Sequence, residues 1–494
     1  MSTFLLVIYG SCLFFIFLYS LVQLSLVIKY RRNLGSGPAV DLSMREVYGD
    51  ESTWPEVTIQ LPVFNELYVV ERLIDSVAAI DYPTEKLEIQ VLDDSTDESF
   101  EIAGNKIEAW KSRGLNIKHI KRPERIGFKA GALAYGLEIA EGKFTAIFDA
   151  DFVPDTMFLQ HTLPQFQDEK VGVVQTRWEH LNENYSLLTR LQAFGLNAHF
   201  SIEQGGRNAS SHFINFNGTA GVWRNTCIAE AGGWQSDTLT EDLDLSYRAQ
   251  LKGWKFVYKE KIGSPAELPA AMTALKNQQY RWTKGAAECA VKNLPRVLKS
   301  KRLTIGTKIH ALFHLLSSFI FVCVISTALL SVPLLFVKFQ SPELDIVFKI
   351  ASLFLLSFFI LAYFYWTSVR YGQSDTYRSF GEFIMLFPLF LSVSMGLSLH
   401  NAIAVVEGYM GRKTPFVRTP KFNLSSSEIS FKDNRYLSKR IHPMTFVEIL
   451  LTIYFLGGVG LAFHLKDFGL IPFHLMLCLG FGIVSFYGLR HANI

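Results

Sequence analysis

Phe144-Thr145-Ala146-Ile147-Phe148-Asp149-Ala150-Asp151 is an apolar run that ends in two carboxylates. Its length and its aromatic and β-branched content read as a short buried strand. The acidic pair falls just past the carboxyl end of that strand. The pattern recurs upstream, where residues 87–92 read as a strand that runs into Asp93-Asp94-Ser95. Working outward, 57–63 reads as a strand, 67–80 and 99–113 as helices, 117–120 as a strand and 129–140 as a helix. Strands alternating with helices predict a mostly parallel, doubly wound α/β sheet. In such sheets ligands sit beyond the carboxyl ends of the strands. Asp93, Asp94, Asp149 and Asp151 are therefore expected to converge on one crevice.

The chemistry of these groups narrows their use. Hard divalent ions prefer oxygen ligands, and Mg²⁺ is often held by one or two carboxylates together with phosphate oxygens. Asp149 and Asp151 suit a metal-bound nucleotide diphosphate; the plainer reading is a solvated loop or cap. Asp93 and Asp94 could accept hydrogen bonds from a base or ribose, or could form an Asx turn or helix cap. Thr240-Glu241-Asp242 opens a helical run through Leu251. A carboxylate at a helix start has its ionised form favoured by the helix dipole, as a general base requires; simple capping is the alternative. Gln278-Gln279-Tyr280-Arg281-Trp282 is the most specific element. Gln278, Arg281 and Trp282 lie three and four residues apart, so on a helix they share a face. Arg can grip phosphate with two donors, and the amphipathic Trp suits one face of a sugar ring. An interfacial anchor would use the same residue types but would not explain the carboxylates upstream.

The rest of the chain is apolar. Of its 494 residues 49% are hydrophobic, and the mean hydropathy is +0.20, too apolar for an ordinary soluble enzyme. A net charge of +3 does not favour nucleic acid as a partner. The five cysteines form no C-x-x-C pair, so neither a zinc site nor a disulfide framework is indicated. Residues 4–27 are long enough to span a bilayer and are followed by Lys29, Arg31 and Arg32, which places the following chain on the cytosolic side. Residues 309–337, 347–369, 444–464 and 468–489 also qualify as spans. Residues 380–406 are apolar but contain His400 and Asn401. A full span there would put the basic stretch from Arg412 to Arg440 outside, so an interfacial or re-entrant element is expected. The domains expected are an anchor at 1–32, a catalytic domain at 50–302 and a membrane domain at 303–494.

Some features take plain readings. His310 and His314 have metal-pair spacing but no nearby carboxylate or Cys, which favours packing. Tyr363, Phe364, Tyr365 and Trp366 read as an interfacial belt. Leu187, Leu191 and Phe194 make a packing stripe. The polar loop signal at 425–427 has no further reading. The three sequons, including Asn217-Gly218-Thr219, are expected to stay unmodified on a cytosolic domain.

Taken together, the motifs resemble family 2 inverting glycosyltransferases of the cellulose-synthase-like group, and most of all its mannan and glucomannan synthase branch. Further strings carry the resemblance: Leu61-Pro62-Val63-Phe64-Asn65-Glu66, Lys129-Ala130-Gly131, Phe216-Asn217-Gly218-Thr219-Ala220-Gly221-Val222-Trp223-Arg224 and Gly253-Trp254-Lys255. The resemblance implies a GT-A (Rossmann-like) catalytic domain beside a multi-pass α-helical membrane domain, in a bacterial inner membrane or a Golgi or plasma membrane. It implies that Glu66, Asp93, Asp94 and Asp149 line the nucleotide site with Lys129 near the phosphates. It also implies that Asp149 and Asp151 place Mg²⁺ or Mn²⁺, that Asp242 is the base, and that Gln278, Arg281 and Trp282 face the acceptor and diphosphate. Phe416, Thr419 and Lys421 match a gating loop within 411–422, although Arg418 departs from its pattern. The implied partners are GDP-mannose or UDP-glucose and a polysaccharide acceptor, with synthesis processive and coupled to export; no attached regulatory domain is expected. Two alternatives remain: transfer of a single sugar to ceramide or diacylglycerol, and a transporter with a nucleotide-binding regulatory domain. Transport would be favoured by charges within the spans, and these spans have few.

Overall fold

A computed structural model describes residues 2–34, 42–341, 344–373, 379–424, 434–437 and 440–492. The polar loop signal at 425–427, with Lys432 and Lys439 of the basic stretch, lies outside the described residues. Seven strands form one sheet: β1 (Val57–Val63), β2 (Leu87–Asp93), β3 (Ile117–Ile120), β4 (Phe144–Ile147), β5 (Val171–His180), β6 (Gly221–Arg224) and β7 (Lys255–Ala266), in the order β3-β2-β1-β4-β6-β5-β7. The pairings are parallel except at β6, which runs antiparallel to both β4 and β5. Most pairings are thus parallel, as the alternation of strands and helices implied, and the sheet is mixed only through β6. The cause is the excursion between β5 and β6. It leaves at the carboxyl edge of β5 and comes back on that edge, so the next strand must run the other way.

That reversal matters for the site. It brings residues 217–220 to the carboxyl end of β4, where Ala220 N–H donates to Ile147 O at 2.8 Å and Asp149 N–H donates to Thr219 Oγ1 at 2.9 Å. Both faces of the sheet are covered. One packs Ile59, Leu61, Ile89 and Val91 against Leu73, Val77 and Ile107 of helices Val70–Ala78 and Ser99–Lys111. The other packs Ile147, Val173 and Trp223 against Leu133, Leu245 and Ala249. Each such fully buried aliphatic side chain contributes about 1.5–3 kcal/mol, which fixes the register of the strand ends.

A 28-residue helix, Met272–Lys299, carries Gln278, Arg281 and Trp282 and joins the sheet domain to the apolar helices. It packs closely on helix Ser398–Tyr409, where a Cβ on Gly408 would fall 2.7 Å from Lys284 O. Lys276 Nζ is 2.7 and 2.8 Å from the two oxygens of Glu448, and both residues are buried.

Among the described residues five helices are long and apolar enough to cross a membrane: Thr3–Leu34, Phe319–Gln340, Phe348–Tyr371, Met444–Leu465 and Ile471–Ala492. The run expected to span at 309–337 is divided. Ile305–Leu315 is a separate helix, held to the sheet domain by the His314 Nδ1 to Tyr247 OH contact at 2.8 Å, and the span begins at Phe319. Phe380–Gly396 and Ser398–Tyr409 meet at a 50° bend, a broken span or re-entrant element rather than a straight crossing. At that bend Gly396 and Gly480 sit backbone to backbone, the close approach that small residues permit between membrane helices.

The plain readings fare unevenly. His310 stacks on His212 at 4.1 Å and contacts Ser25, as packing predicts. Leu191 and Phe194 are buried in a cluster with Phe383 and Phe387, and Leu187 packs against it partly buried. The aromatic belt reading needs correction: Phe364 is buried and Tyr365 stacks on Phe194 at 5.3 Å. These rings seal the joint between the apolar helices and helix Leu187–Ala198, whose facing stripe draws them inward.

Candidate active site

The carboxyl ends of β1, β2 and β4, the turn before β6, the start of helix Glu241–Lys252 and the helix Met272–Lys299 surround a cleft of about 200 Å³. Glu66, Asp94, Lys129, Asp149, Asp151, Asp242, Gln278, Arg281, Trp282, Phe416, Thr419 and Lys421 all line it. Asp93 does not. Its carboxylate is fully buried, where Oδ1 accepts from Ser95 N–H at 2.9 Å and Oδ2 lies 3.0 Å from His119 Nε2. Asp93 therefore serves the turn after β2, and the cleft-facing group of the pair is Asp94.

One half of the cleft is a lattice of opposite charges. Asp94 is paired with Arg122, with Arg125 at 3.9 Å. Arg125 in turn lies over the Phe64 ring at 3.4 Å. Lys129, in the first turn of helix Phe128–Glu138, pairs with Asp149 and donates to Gly218 O at 2.9 Å. Asp151 Oδ2 is 2.7 Å from Lys421 Nζ, while its buried Oδ1 has no hydrogen-bond partner among the described residues. Glu66 Oε2 is 2.7 Å from Arg418. Burial pushes the Glu66 carboxyl up to about 7, and Arg418 and Lys421 pull against that rise without cancelling it.

The segment 416–424 is drawn over this half by specific contacts. Phe416 stacks on Phe128 at 5.6 Å and lies under the Arg281 guanidinium at 4.6 Å. Arg281 donates to Thr419 Oγ1 at 2.7 Å. Glu267, buried at the end of β7, accepts the backbone N–H groups of Phe422 (3.3 Å), Asn423 (3.0 Å) and Leu424.

The other half is less charged. Asp242 lies in the first turn of its helix, and its Oδ1 accepts from Leu243 N–H at 2.8 Å. Burial and the adjacent Glu241 raise its carboxyl to about 7, against the pull of Lys129. Gly218 makes room for it: at φ +81° a Cβ would lie 3.0 Å from Asp242 Oδ2. Trp282 faces Trp178, ring centroids 6.4 Å apart and inclined by 53°. Gln278 and Trp282 continue into a second cavity toward the apolar helices. Sequence reasoning missed Trp178, Arg125 and Glu267. Trp178 sits at the end of β5, a strand the motif search did not use, and Glu267 acts through long-range backbone contacts that leave no spacing signal.

Residues 55–285 match the family described as glycosyltransferase like family 2. The chain is 40% identical to rice (Oryza sativa subsp. japonica) glucomannan 4-beta-mannosyltransferase 1 over 57% of its own length, and it spans 57% of that relative. It is 32% identical to glucomannan 4-beta-mannosyltransferase 1 of Cyamopsis tetragonoloba over 469 residues, which is 90% of this chain and 84% of that one. The chain belongs to glycosyltransferase family 2. Among solved structures this glycosyltransferase superposes on a mannosyltransferase from Pyrobaculum calidifontis in complex with GDP-Man and Mn²⁺, with a TM-score of 0.55, 16% identity, 82% of this chain covered and 100% of that one. That likeness establishes the GT-A sheet. Among the described residues of the glycosyltransferase no group of three or more His, Cys, Asp or Glu side chains is placed to hold a metal by itself.

Proposed function

We propose that this chain is a membrane-bound inverting hexosyltransferase that moves mannose from GDP-mannose to the non-reducing end of a growing β-linked glycan. The observation that carries it is the division of one cleft into a half built for a charged leaving group and a half built for a hydroxyl and a sugar face. The GDP-mannose assignment is supported by the names of its relatives, the glucomannan mannosyltransferases, and by the ligand of the mannosyltransferase whose fold it shares.

In this reading Asp242 takes the proton of the acceptor hydroxyl as that oxygen attacks the anomeric carbon, which inverts. A carboxyl raised to about 7 is strong enough as a base near neutral pH and still ionised in part. Lys129 and Arg281 stabilise the charge that develops on the departing diphosphate. Asp94, with Arg122 and Arg125, receives the nucleoside. Trp282 presents its ring to the acceptor sugar, and Gln278 lies on the same helix face. The donor set fits a divalent cation: Asp149 and Asp151 offer hard oxygens, Asp151 Oδ1 is buried without a partner, and phosphate oxygens would complete the shell. Bound there, Mg²⁺ or Mn²⁺ would screen the diphosphate. Lys421 now holds Asp151 Oδ2, so it must yield that oxygen if the cation takes both. Phe416, Thr419 and Lys421 form a loop that closes over the donor and reopens between additions. The apolar helices hold the catalytic domain against the bilayer, facing the cytosol.

The test is purified enzyme in detergent with radiolabelled GDP-mannose or UDP-glucose, with and without chelator, followed by product sizing and linkage analysis. A metal-dependent β-mannan product supports the reading. Transfer of one sugar to lipid, or no transfer from either donor, overturns it.

A further inference from the structure

The cleft opens into a second cavity of about 460 Å³, and the residues that line both include Trp178, Asn217, Asp242, Gln278 and Trp282. A π-helical turn, His199–Gln204, forms part of the wall; such turns are rare and often mark functional sites. Glu203 Oε2 accepts from His199 Nδ1 at 2.7 Å and lies 3.6 Å from Arg207, and Glu203 Oε1 accepts from Gln23 Nε2 at 2.8 Å. The other ring nitrogen, His199 Nε2, is 3.3 Å from Asn217 Oδ1. The ring thus bridges the Glu203 carboxylate and the Asn217 side-chain amide. Asn215 Nδ2 donates to the same Asn217 Oδ1 at 2.7 Å.

Two donors on that oxygen orient the amide. They leave Asn217 Nδ2 buried and without a partner among the described residues, in the wall common to both cavities. The next residue, Gly218, closes directly on Asp242. A buried donor left unmade costs free energy that a ligand atom can recover, and no step proposed above uses this one. The amide shares its wall with Trp178 and Trp282, and the adjacent Gly218 carbonyl accepts from Lys129.

Resting on the proposed transfer to a glycan, we infer that Asn217 Nδ2 holds a hydroxyl oxygen of the terminal acceptor sugar, and that His199 and Glu203 are positioning residues that aim the amide. The contacted hydroxyl neighbours the one that gives its proton to Asp242. Because the amide donates, it selects a ring hydroxyl at that position over a deoxy position.

The test uses full-length enzyme in detergent with GDP-mannose and a manno-oligosaccharide acceptor. His199→Gln places an amide nitrogen where Nε2 lies and keeps the contact to Asn217. His199→Asn keeps only the contact to Glu203. We expect His199→Asn to raise the acceptor KM about tenfold, the worth of one aimed hydrogen bond, with donor KM unchanged and His199→Gln close to the parent. Asn217→Ser shortens the donor and makes the same comparison if His199→Asn fails to accumulate, with GDP binding as the check on folding. Equal behaviour of the two His199 variants, or donor and acceptor KM shifting together, overturns the assignment. A parent enzyme that hydrolyses GDP-mannose but extends no manno-oligosaccharide overturns the acceptor reading itself, and this subsite with it.

Discussion

The two halves of the cleft treat charge in opposite ways. On the side of β1, β2 and β4, Asp94, Asp149, Asp151 and Glu66 each have a cationic partner within the protein. On the side of helix Met272–Lys299, Asp242 has no ion pair within 4.0 Å among those described, and it shares its wall with Trp178, Trp282, Asn217 and Gln278, with Glu241 beside it and Lys129 within electrostatic reach. The first half is a set of exchangeable ion pairs, in which a diphosphate and a cation can replace protein charges one for one. The second keeps the Asp242 carboxyl protonated more readily than usual by burial and by the neighbouring Glu241, with Lys129 too weakly placed to cancel them. Desolvation raises both Glu66 and Asp242 to about 7, but only Glu66 has an arginine to meet it.

The comparison breaks first if Asp242 is dispensable. Asp242→Asn is nearly isosteric and cannot take a proton; we expect transfer to fall by about 10²–10⁴-fold with donor titration unchanged. A rate within twofold of the parent would place the base elsewhere. Asp151→Ala should lower transfer by about 10²-fold and abolish its stimulation by Mn²⁺, while nucleoside binding at Asp94 persists; chelator-insensitive full activity would remove the metal from this half. Trp282→Ala should raise the acceptor KM by about tenfold or less, in line with the modest worth of ring stacking, and leave donor affinity alone; equal losses would make Trp282 an anchor.

Two smaller effects follow from the raised carboxyls. Transfer should increase with pH up to about 7 as Asp242 sheds its proton, and a flat profile through that region would contradict its role. Because Glu66 is also raised to about 7, folding favours its protonated form. Its contribution to stability is full below the ordinary glutamate value and is lost as pH rises through about 7. Glu66→Gln should flatten that part of the melting-temperature profile by a few degrees at most; an unchanged slope would show that Arg418 compensates it fully.

The donor half was the more legible in sequence. Apolar runs that end in Asp94 and Asp149 report strand ends directly, and strand ends converge because sheets pack. Asp93 turns away from the cleft that Asp94 lines, since adjacent side chains at a strand end point to opposite faces, and residue type does not say which faces the cleft. The reversal at β6 was not legible, because the direction of a four-residue strand is set by the route of the 40-residue excursion before it, not by its own composition. The other half, with His199, Glu203 and Asn217, was not legible because a π-helical turn has no spacing signal of its own, and the aim of the Asn217 amide is set by how the loop 18 residues on folds back against that turn.

The buried Lys276–Glu448 pair carries a consequence of its own. Lys276 is two residues before Gln278, on one rigid helix, and Glu448 belongs to an apolar helix of 22 residues. The floor of the reaction chamber is thereby bolted to a strut whose tilt responds to the thickness of the lipid around it. Such a machine is tuned by its membrane: turnover should change with acyl-chain length in reconstituted vesicles, and Glu448→Gln should loosen the bolt and blunt that dependence.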